Sequence, residues 1–489
     1  MLLQHLKTLS NYGEIITGSS NEIKLVREIK KMLEDNSDEI RLIPIRVLNW
    51  EQKELIFECE SKTITDIISL PYSLSTEIEG SVVENFKECN DRNLMKIKIQ
   101  NLYEINKLYI EAVEKDCLGI IFSLDSEKRK FVIKYGDLLS HRPSYPPPIP
   151  AFYVKENDFP HIKGKCRISL RTDLNPFATG YIIEAIRNSK NENKIIHITA
   201  HHDHWFKGER DNLLAVSLLR EFRSSIYETH LISFTAEESG SFNFSTFSWS
   251  HGSREFLKNY KNVDNILLNI NIDNISEESL ALKSVPGLLE LSRKYFKNVV
   301  GTPEIYSDGY SYIKVGIPSI TIESLGNIHY HGEYDIIDND RSNAFSNAST
   351  VLDIINRIIN ENIVYKTSEM KEELKKDMVE LPAELKSYLV NVEDLLDKNY
   401  MEPYREMIKL YGGVLELNQP YSTVELFHKI KGLNLARKND VCIEDLGCIK
   451  RLRKDEMFYR FYSYYINELK ESIANEYINK IYFILKKFF

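Results

Sequence analysis

His201, Asp211, the pair Glu237-Glu238, Asp273 and His331 recur through one stretch of the chain, most of them just past a short apolar run. Imidazole and carboxylate are side chains that hold divalent cations. Ile195-Ile196-His197-Ile198-Thr199-Ala200, before His201, shows the pattern of a β-like segment ending in a donor. Two cations need about this set: one carboxylate to bridge them, two more ligands for each, and one carboxylate left over to carry protons. The spacing is that of a two-metal hydrolase.

Each piece taken singly has a plainer reading. Ala200-His201-His202-Asp203-His204-Trp205 could be only a polar loop. As a site, His201 binds a metal and Asp203 accepts its other ring N–H, which fixes the tautomer; His202 and His204 receive no role. Asp211, in Gly208-Glu209-Arg210-Asp211-Asn212, could be a helix N-cap. As a site residue it bridges, kept ionised by the helix N-terminus. Glu237-Glu238 could be a surface pair. As a site, one glutamate binds a metal, and its neighbour takes a proton from water and returns it to a leaving amine. Asp273 could begin a turn, and Tyr330-His331-Gly332-Glu333-Tyr334-Asp335 could be a turn with a surface histidine. Five such pieces in order, most near strand ends, are hard to obtain by chance.

The elements that must position them alternate from about 176 to 360. Strands are expected at Gly180–Ala185, Ile195–Ala200, Leu231–Phe234, Ile266–Ile272 and Ser319–Ile322, with helices such as Asn212–Phe222 and Pro286–Tyr295 between them. Alternation of this kind implies an α/β fold with an open, mostly parallel sheet, helices on both faces, and a site outside the carboxyl ends of the strands. Ser20 reads as the N-cap of an opening helix running through Met32-Leu33. From about 55 to 175 short β-branched runs dominate, with a helix near Ile105–Lys115 and a strand at Gly119–Leu124. Five prolines crowd residues 143–150 and make a stiff connection. This β-rich block reads as a small domain inserted in the first. Glu369–Leu396 and Glu456–Phe489 read as helices, the latter rich in tyrosine.

A chain of 489 residues exceeds one core and implies two to four domains. With 43% apolar and 28% charged residues it is an ordinary globular composition, and a net charge of -9 argues against nucleic acid and anionic membrane as main partners. Met1–Lys7 leads into polar residues without the apolar centre of a secretory signal, and no apolar run reaches the roughly 20 residues of a membrane span. The cysteines, at 59, 89, 117, 166, 442 and 448, include no CxxC pair. The expectation is a reduced, cytoplasmic protein, with Cys442 and Cys448 the one pair close enough in sequence to be considered for a bond.

These motifs resemble the dinuclear zinc aminopeptidase family that includes glutamate carboxypeptidase II and the transferrin receptors. The matching residues are His201-His202-Asp203, Asp211-Asn212, Glu237-Glu238, Asp273 and His331-Gly332-Glu333-Tyr334-Asp335, with Ser307-Asp308-Gly309-Tyr310 and Gly316-Ile317-Pro318-Ser319 similar to further family segments. The resemblance implies a three-layer peptidase domain from residues 1–55 and 176–362, a protease-associated-like insert at 56–175 and a helical region at 363–489. It implies one metal on His201, Asp211 and Asp273, another on Asp211, Glu238 and His331, Glu237 as general base and acid on a water between the metals, and Tyr330 steadying the oxyanion. The ions implied are zinc, with cobalt or manganese as substitutes. Leu213-Leu214-Ala215-Val216 departs from the family's small residue and glycine. Gly252-Ser253 comes later than the family's Gly-Ser, after an aromatic-rich insertion at Phe242–Ser250 that could shape substrate choice. The expected activity is an aminopeptidase acting on peptides. The alternatives are a carboxypeptidase, for which Arg210 or Arg254 would hold the substrate carboxylate, a non-catalytic receptor-like binding protein, and a single-zinc glutaminyl cyclase. A homodimer through the C-terminal helices is a further expectation.

Overall fold

The computed structural model describes residues 2–135, 146–188, 194–242, 249–301, 306–339, 341–378 and 401–411. Two helices open the chain, α1 (Leu2–Ser10) and α2 (Ser20–Glu34). Ser19, one residue before the expected cap, ends the loop: its hydroxyl oxygen accepts the Glu22 N–H at 3.2 Å. Leu25, Val26, Ile29, Met32 and Leu33 recur at helical spacing on the buried face of α2. Each contributes roughly 1.5–3 kcal/mol on leaving water.

β1 (Glu39–Cys59) is followed by β2 (Lys62–Thr63), β3 (Ile67–Ser69), β4 (Thr76–Val83), β5 (Asn93–Lys98), α3 (Glu104–Glu114), β6 (Gly119–Ser123) and β7 (Ala151–Val154). β8 (Lys165–Arg187) comes next, antiparallel to β1 from Cys59 opposite Cys166 to Glu39 opposite Ile186. β1 and β8 therefore form one long antiparallel pair on either side of these elements. The first half of β8 pairs with β4.

The remaining elements are β9 (Ile195–His201), α4 (Leu214–Leu218), β10 (Glu228–Phe234), α5 (His251–Asn259), β11 (Ile266–Asp273), β12 (Leu280–Ser284), α6 (Leu289–Tyr295), β13 (Val299–Val300), α7 (Asp308–Lys314), β14 (Ser319–Ser324), α8 (Asn343–Ile359), α9 (Thr367–Met378) and α10 (Met401–Tyr411). The mixed sheet runs β13-β12-β14-β11-β9-β10-β8-β4-β5-β6-β7-β3. β10, β9, β11 and β14 are mutually parallel neighbours and almost wholly buried, as both-face packing requires. Alternation sends Ile196, Ile198, Leu231, Leu268 and Ile270 to the main core. It sends Ile182, Ile232 and Phe234 to the opposite face, with Phe256 of α5 and Tyr312 of α7. The chain goes from β9 to β10 on one side and later to β11 on the other, so the switch point of the sheet lies between β9 and β11, where a crevice opens.

Glu369 in α9 accepts the N–H groups of Gly287, Leu289 and Glu290 at 2.8, 2.8 and 2.7 Å, which ties α9 to the start of α6. Tyr404, Met407 and Ile408 of α10 join the main core, and the Tyr404 hydroxyl donates to Pro286 O at 2.7 Å. The tyrosine-rich stretch Glu456–Phe489, Cys442, Cys448 and residues 143–145 of the proline run lie outside the described residues.

The expectation of reduced cysteines is corrected. Cys59 is disulfide-bonded to Cys166, and Cys89 to Cys117. Sequence separations of 107 and 28 hid both pairs, whereas the β1–β8 register sets Cys59 directly opposite Cys166. The cytoplasmic expectation drawn from the cysteines loses its basis. Among the described residues no helix is long and apolar enough to cross a membrane.

Candidate metal centre

His201 ends β9, Asp273 ends β11, and Glu237-Glu238 follow β10 by a short turn. Three adjacent carboxyl ends thus aim donors at one crevice. His201 Nε2 lies 3.3 Å from Asp211 Oδ1 and 3.4 Å from Asp273 Oδ1. The other oxygen of Asp211, Oδ2, lies 3.9 Å from His331 Nε2, which is 3.0 Å from Glu238 Oε2. Two three-donor sets result, His201–Asp211–Asp273 and Asp211–Glu238–His331, and Asp211 belongs to both. Glu237 belongs to neither.

Local structure explains these placements. Asp211 is no helix cap: α4 begins three residues later, and Asn212 in between is itself non-helical (φ -140°, ψ 25°). Its N–H donates to Asp335 Oδ2 at 3.1 Å, and the Arg210 N–H donates to Asp335 Oδ1 at 3.3 Å. Asp335 was visible only as the end of the His331 motif; it fastens the loop that carries Asp211. Burial, then the nearby Asp211, pushes the Asp335 carboxyl up to about 7. Ala236 and His331 take left-handed backbone (φ 58° and 56°), a strained choice for non-glycine residues that concentrates at functional sites.

The assigned role of Asp203 is corrected. His201 Nδ1 faces the backbone oxygen of Asp203 at 2.9 Å, while the Asp203 carboxylate is 3.9 Å away. That carboxylate instead accepts the N–H groups of Glu237 and Glu238, each at 3.0 Å. It clamps the glutamate turn to the end of β9. Burial raises its carboxyl to about 6. His202 and His204 are structural: His202 Nδ1 meets Ser233 Oγ at 2.9 Å, and the His204 ring nitrogens face the His202 and Gly13 carbonyls.

Glu237 Oε1 accepts a hydrogen bond from Ser250 Oγ at 3.0 Å. Burial, reinforced by Glu238, Asp273 and Asp308 against the pull of His201, pushes the Glu237 carboxyl well above the usual range. Ser250 lies in the aromatic-rich insertion, where nothing in the sequence marked it. The Tyr330 ring stacks on His331 with centroids 3.8 Å apart. Burial, then Tyr103 and the carboxylates of Glu238, Asp211 and Glu237, raise its phenol well above the usual value.

Residues of the β-rich stretch before β8 also meet the His331 loop. His331 Nδ1 meets Lys130 O at 3.0 Å, and the Lys130 N–H donates to His331 O at 3.0 Å. Arg129 donates to Tyr330 O at 2.7 Å and to Ile328 O at 2.6 Å. Gly332 leaves room for Glu127 beside this clasp: a Cβ there would come within 2.2 Å of Glu127 Oε2, so that side chain would have to shift. Two hundred residues separate the partners, and no local sequence signal links them. Of the arginines weighed for a substrate carboxylate, Arg210 is committed to Glu277 at 2.7 and 2.8 Å and to Ile336 O at 2.8 Å. Arg254 is buried, and burial lowers its pKa to about 10, with Asp308 and Glu237 opposing.

The donors fit divalent cations. Asp203, Asp211, Glu237, Glu238, Asp273 and Asp308 crowd one crevice at little or no exposure, an arrangement too costly without compensating positive charge. His331 Nε2 is buried without a hydrogen-bond partner among the described residues, although Glu238 Oε2 is 3.0 Å away. Two donors meeting off-axis in this way leave room for a third atom.

The family model described as Peptidase family M28 matches residues 182–355, which hold every donor above. Over that stretch the chain is similar to an M28 peptidase domain. That similarity agrees with the resemblance read from the motifs. In overall fold the chain is similar to a Peptidase M28 precursor from Shewanella amazonensis SB2B (TM-score 0.59, 15% identity, covering 75% of this chain and 94% of that one). It is also similar to a zinc aminopeptidase from Bacillus subtilis (TM-score 0.56, 16% identity, 74% and 95% covered). A third similar structure is an aminopeptidase from Aneurinibacillus sp. strain AM-1 (TM-score 0.53, 15% identity, 75% and 95% covered). No curated protein matches the sequence.

Proposed function

We propose that the chain is a metal-dependent exopeptidase that removes residues from the amino terminus of peptides, with two zinc-class ions held by the two donor sets. The observation that carries the reading is the division of the Asp211 carboxylate, one oxygen toward His201 and the other toward His331. Divalent ions there would polarise a scissile carbonyl and acidify a water. Glu237, bound by neither donor set, takes the proton of the attacking water and returns it to the leaving amine. Ser250 aims the Glu237 carboxylate, and Asp203 holds the backbone beneath it. The Tyr330 phenol donates to the developing oxyanion.

The aminopeptidase direction draws on the names of the similar structures and on the commitment of Arg210 elsewhere. Arg254, buried near Glu237 and Asp308 and donating to Trp249 O at 2.5 Å, is the arginine the carboxypeptidase alternative would have to use. A matched panel of free, N-acetylated and C-amidated peptides separates them. The expected result is cleavage that needs a free amine, tolerates amidation and stops on chelation. Cleavage of acetylated peptides that requires a free carboxylate would select the alternative.

We take residues 56–175 as a protease-associated-like domain whose segment around Arg129 and Lys130 braces the His331 loop. Arg129→Ala should then weaken metal binding at His331 by about 10-fold, the low end for outer-sphere partners, as read by chelator competition. An unchanged affinity would remove the insert from the site. The two disulfides favour an oxidising compartment over the cytoplasm. A homodimer through the C-terminal region stays a proposal, tested by the solution mass of the full chain.

A further inference from the structure

A second group of metal-binding side chains lies upstream on the same strand as His201, and the proposed reaction does not use it. His197 precedes His201 by four residues in β9. Strand alternation therefore puts both on one face, about 13 Å apart at ~3.3 Å per residue. In the parallel neighbour β10, His230 stands directly opposite His197. In the antiparallel neighbour β8, Glu184 stands opposite Ile232, two residues from His230 and on the same face. All three are buried, and one ligand atom from each lies within 4.8 Å of the others.

The surroundings are arranged as they are around metal ligands. His230 Nδ1 faces Glu184 Oε1 at 2.7 Å, while its Nε2 faces Glu228 Oε1 at 2.8 Å. Glu228 is thus the outer carboxylate that orients a ligating imidazole and strengthens it. Arg41 Nη1 donates to the other oxygen of Glu184 at 3.3 Å. His197 Nδ1 meets the Tyr312 hydroxyl at 2.9 Å. His197 Nε2 is left without a hydrogen-bond partner among the described residues, although the side chain is fully buried. Burial holds this imidazole well below its usual pKa, hence neutral and able to ligate. The Tyr260 hydroxyl lies 3.3 Å from His230 Nδ1. A buried hydrogen-bonded network accounts for His230 and Glu184 but leaves His197 Nε2 unexplained. A cation held by the three side chains would displace the proton between His230 Nδ1 and Glu184.

We propose that Glu184, His197 and His230 form a third metal site, for a zinc-class ion, that joins β8, β9 and β10 and serves structure rather than the reaction. Two nitrogens and one carboxylate oxygen suit zinc or cobalt better than magnesium or calcium. Binding would release one proton.

The test is the number of zinc ions retained by the full chain after chelation, reloading with zinc alone and desalting. Wild type should hold three per chain, and His197→Phe should hold two with turnover little changed. Glu184→Gln, nearly isosteric, is the second variant should His197→Phe fail to fold, and it should also lose one ion. Asp211→Asn removes the carboxylate common to both donor sets and should spare the third ion. Equal zinc content in wild type and in the folded His197 or Glu184 variants would overturn the proposal. If Asp211→Asn alone leaves the count unchanged, the dinuclear reading fails and the third site stands.

Discussion

Glu237→Gln will lower turnover of a free-amine peptide by about 10²–10⁴-fold, the range for loss of a positioned general base, with zinc content as in wild type. Glu237 lies in neither donor set, so its loss leaves the ligands intact. Glutamine keeps the shape and can still accept the Ser250 hydroxyl now bonded to Oε1 at 3.0 Å. Its main-chain N–H still meets Asp203 Oδ1 at 3.0 Å. Only the ability to take and return a proton disappears. Steady-state kinetics beside metal analysis of the same sample check this. Near-normal rates would mean that another group moves the proton, and loss of zinc would mean that Glu237 is a ligand.

Gly252→Ala should be among the most destabilising small changes in the chain. A Cβ at Gly252 would sit 1.9 Å from the Thr235 carbonyl oxygen. The first turn of α5 is held against the glutamate turn by Ser250 N–H to Glu237 O (2.8 Å) and His251 N–H to Ala236 O (2.7 Å). The obstacle is backbone on both sides, so no rotamer relieves it and α5 must move off β10. Overpacking of that kind costs about 3 kcal/mol or more, which lowers the melting temperature of a domain this size by roughly 6–12 °C. Activity should fall as well, since the same shift pulls Ser250 away from Glu237. A melting temperature equal to wild type would show that the close approach of α5 is not as described.

The two predictions differ in how far sequence could reach them. The placement of Glu237 beside the two donor sets was legible because β9, β10 and β11 are buried strands rich in Ile and Leu, and the acids and histidines that follow them mark where each strand stops and the crevice begins. Donor types in order then suggested the chemistry. Gly252-Ser253 was visible only as a displaced motif, and its meaning needs the packing of α5 on Thr235. Asp203 was placed by the spacing of its motif, but its carboxylate turned to the Glu237-Glu238 backbone while its carbonyl took the His201 ring. Arg129 and Lys130 stayed hidden because a partner two hundred residues away leaves no local periodicity. The Cys59–Cys166 bond and the Glu184–His197–His230 cluster were missed for one reason: both are products of strand register, and a cysteine or histidine inside a strand does not name the residue opposite it. Cys89–Cys117 joins two loops, and no local pattern links them.

The proposal that two ions share Asp211 is tested most directly by anomalous scattering at the zinc edge from crystals of the full chain grown with zinc. The expected result is one peak against His201, Asp211 and Asp273, and a second against Asp211, Glu238 and His331. A single peak in this crevice, or none, would contradict it.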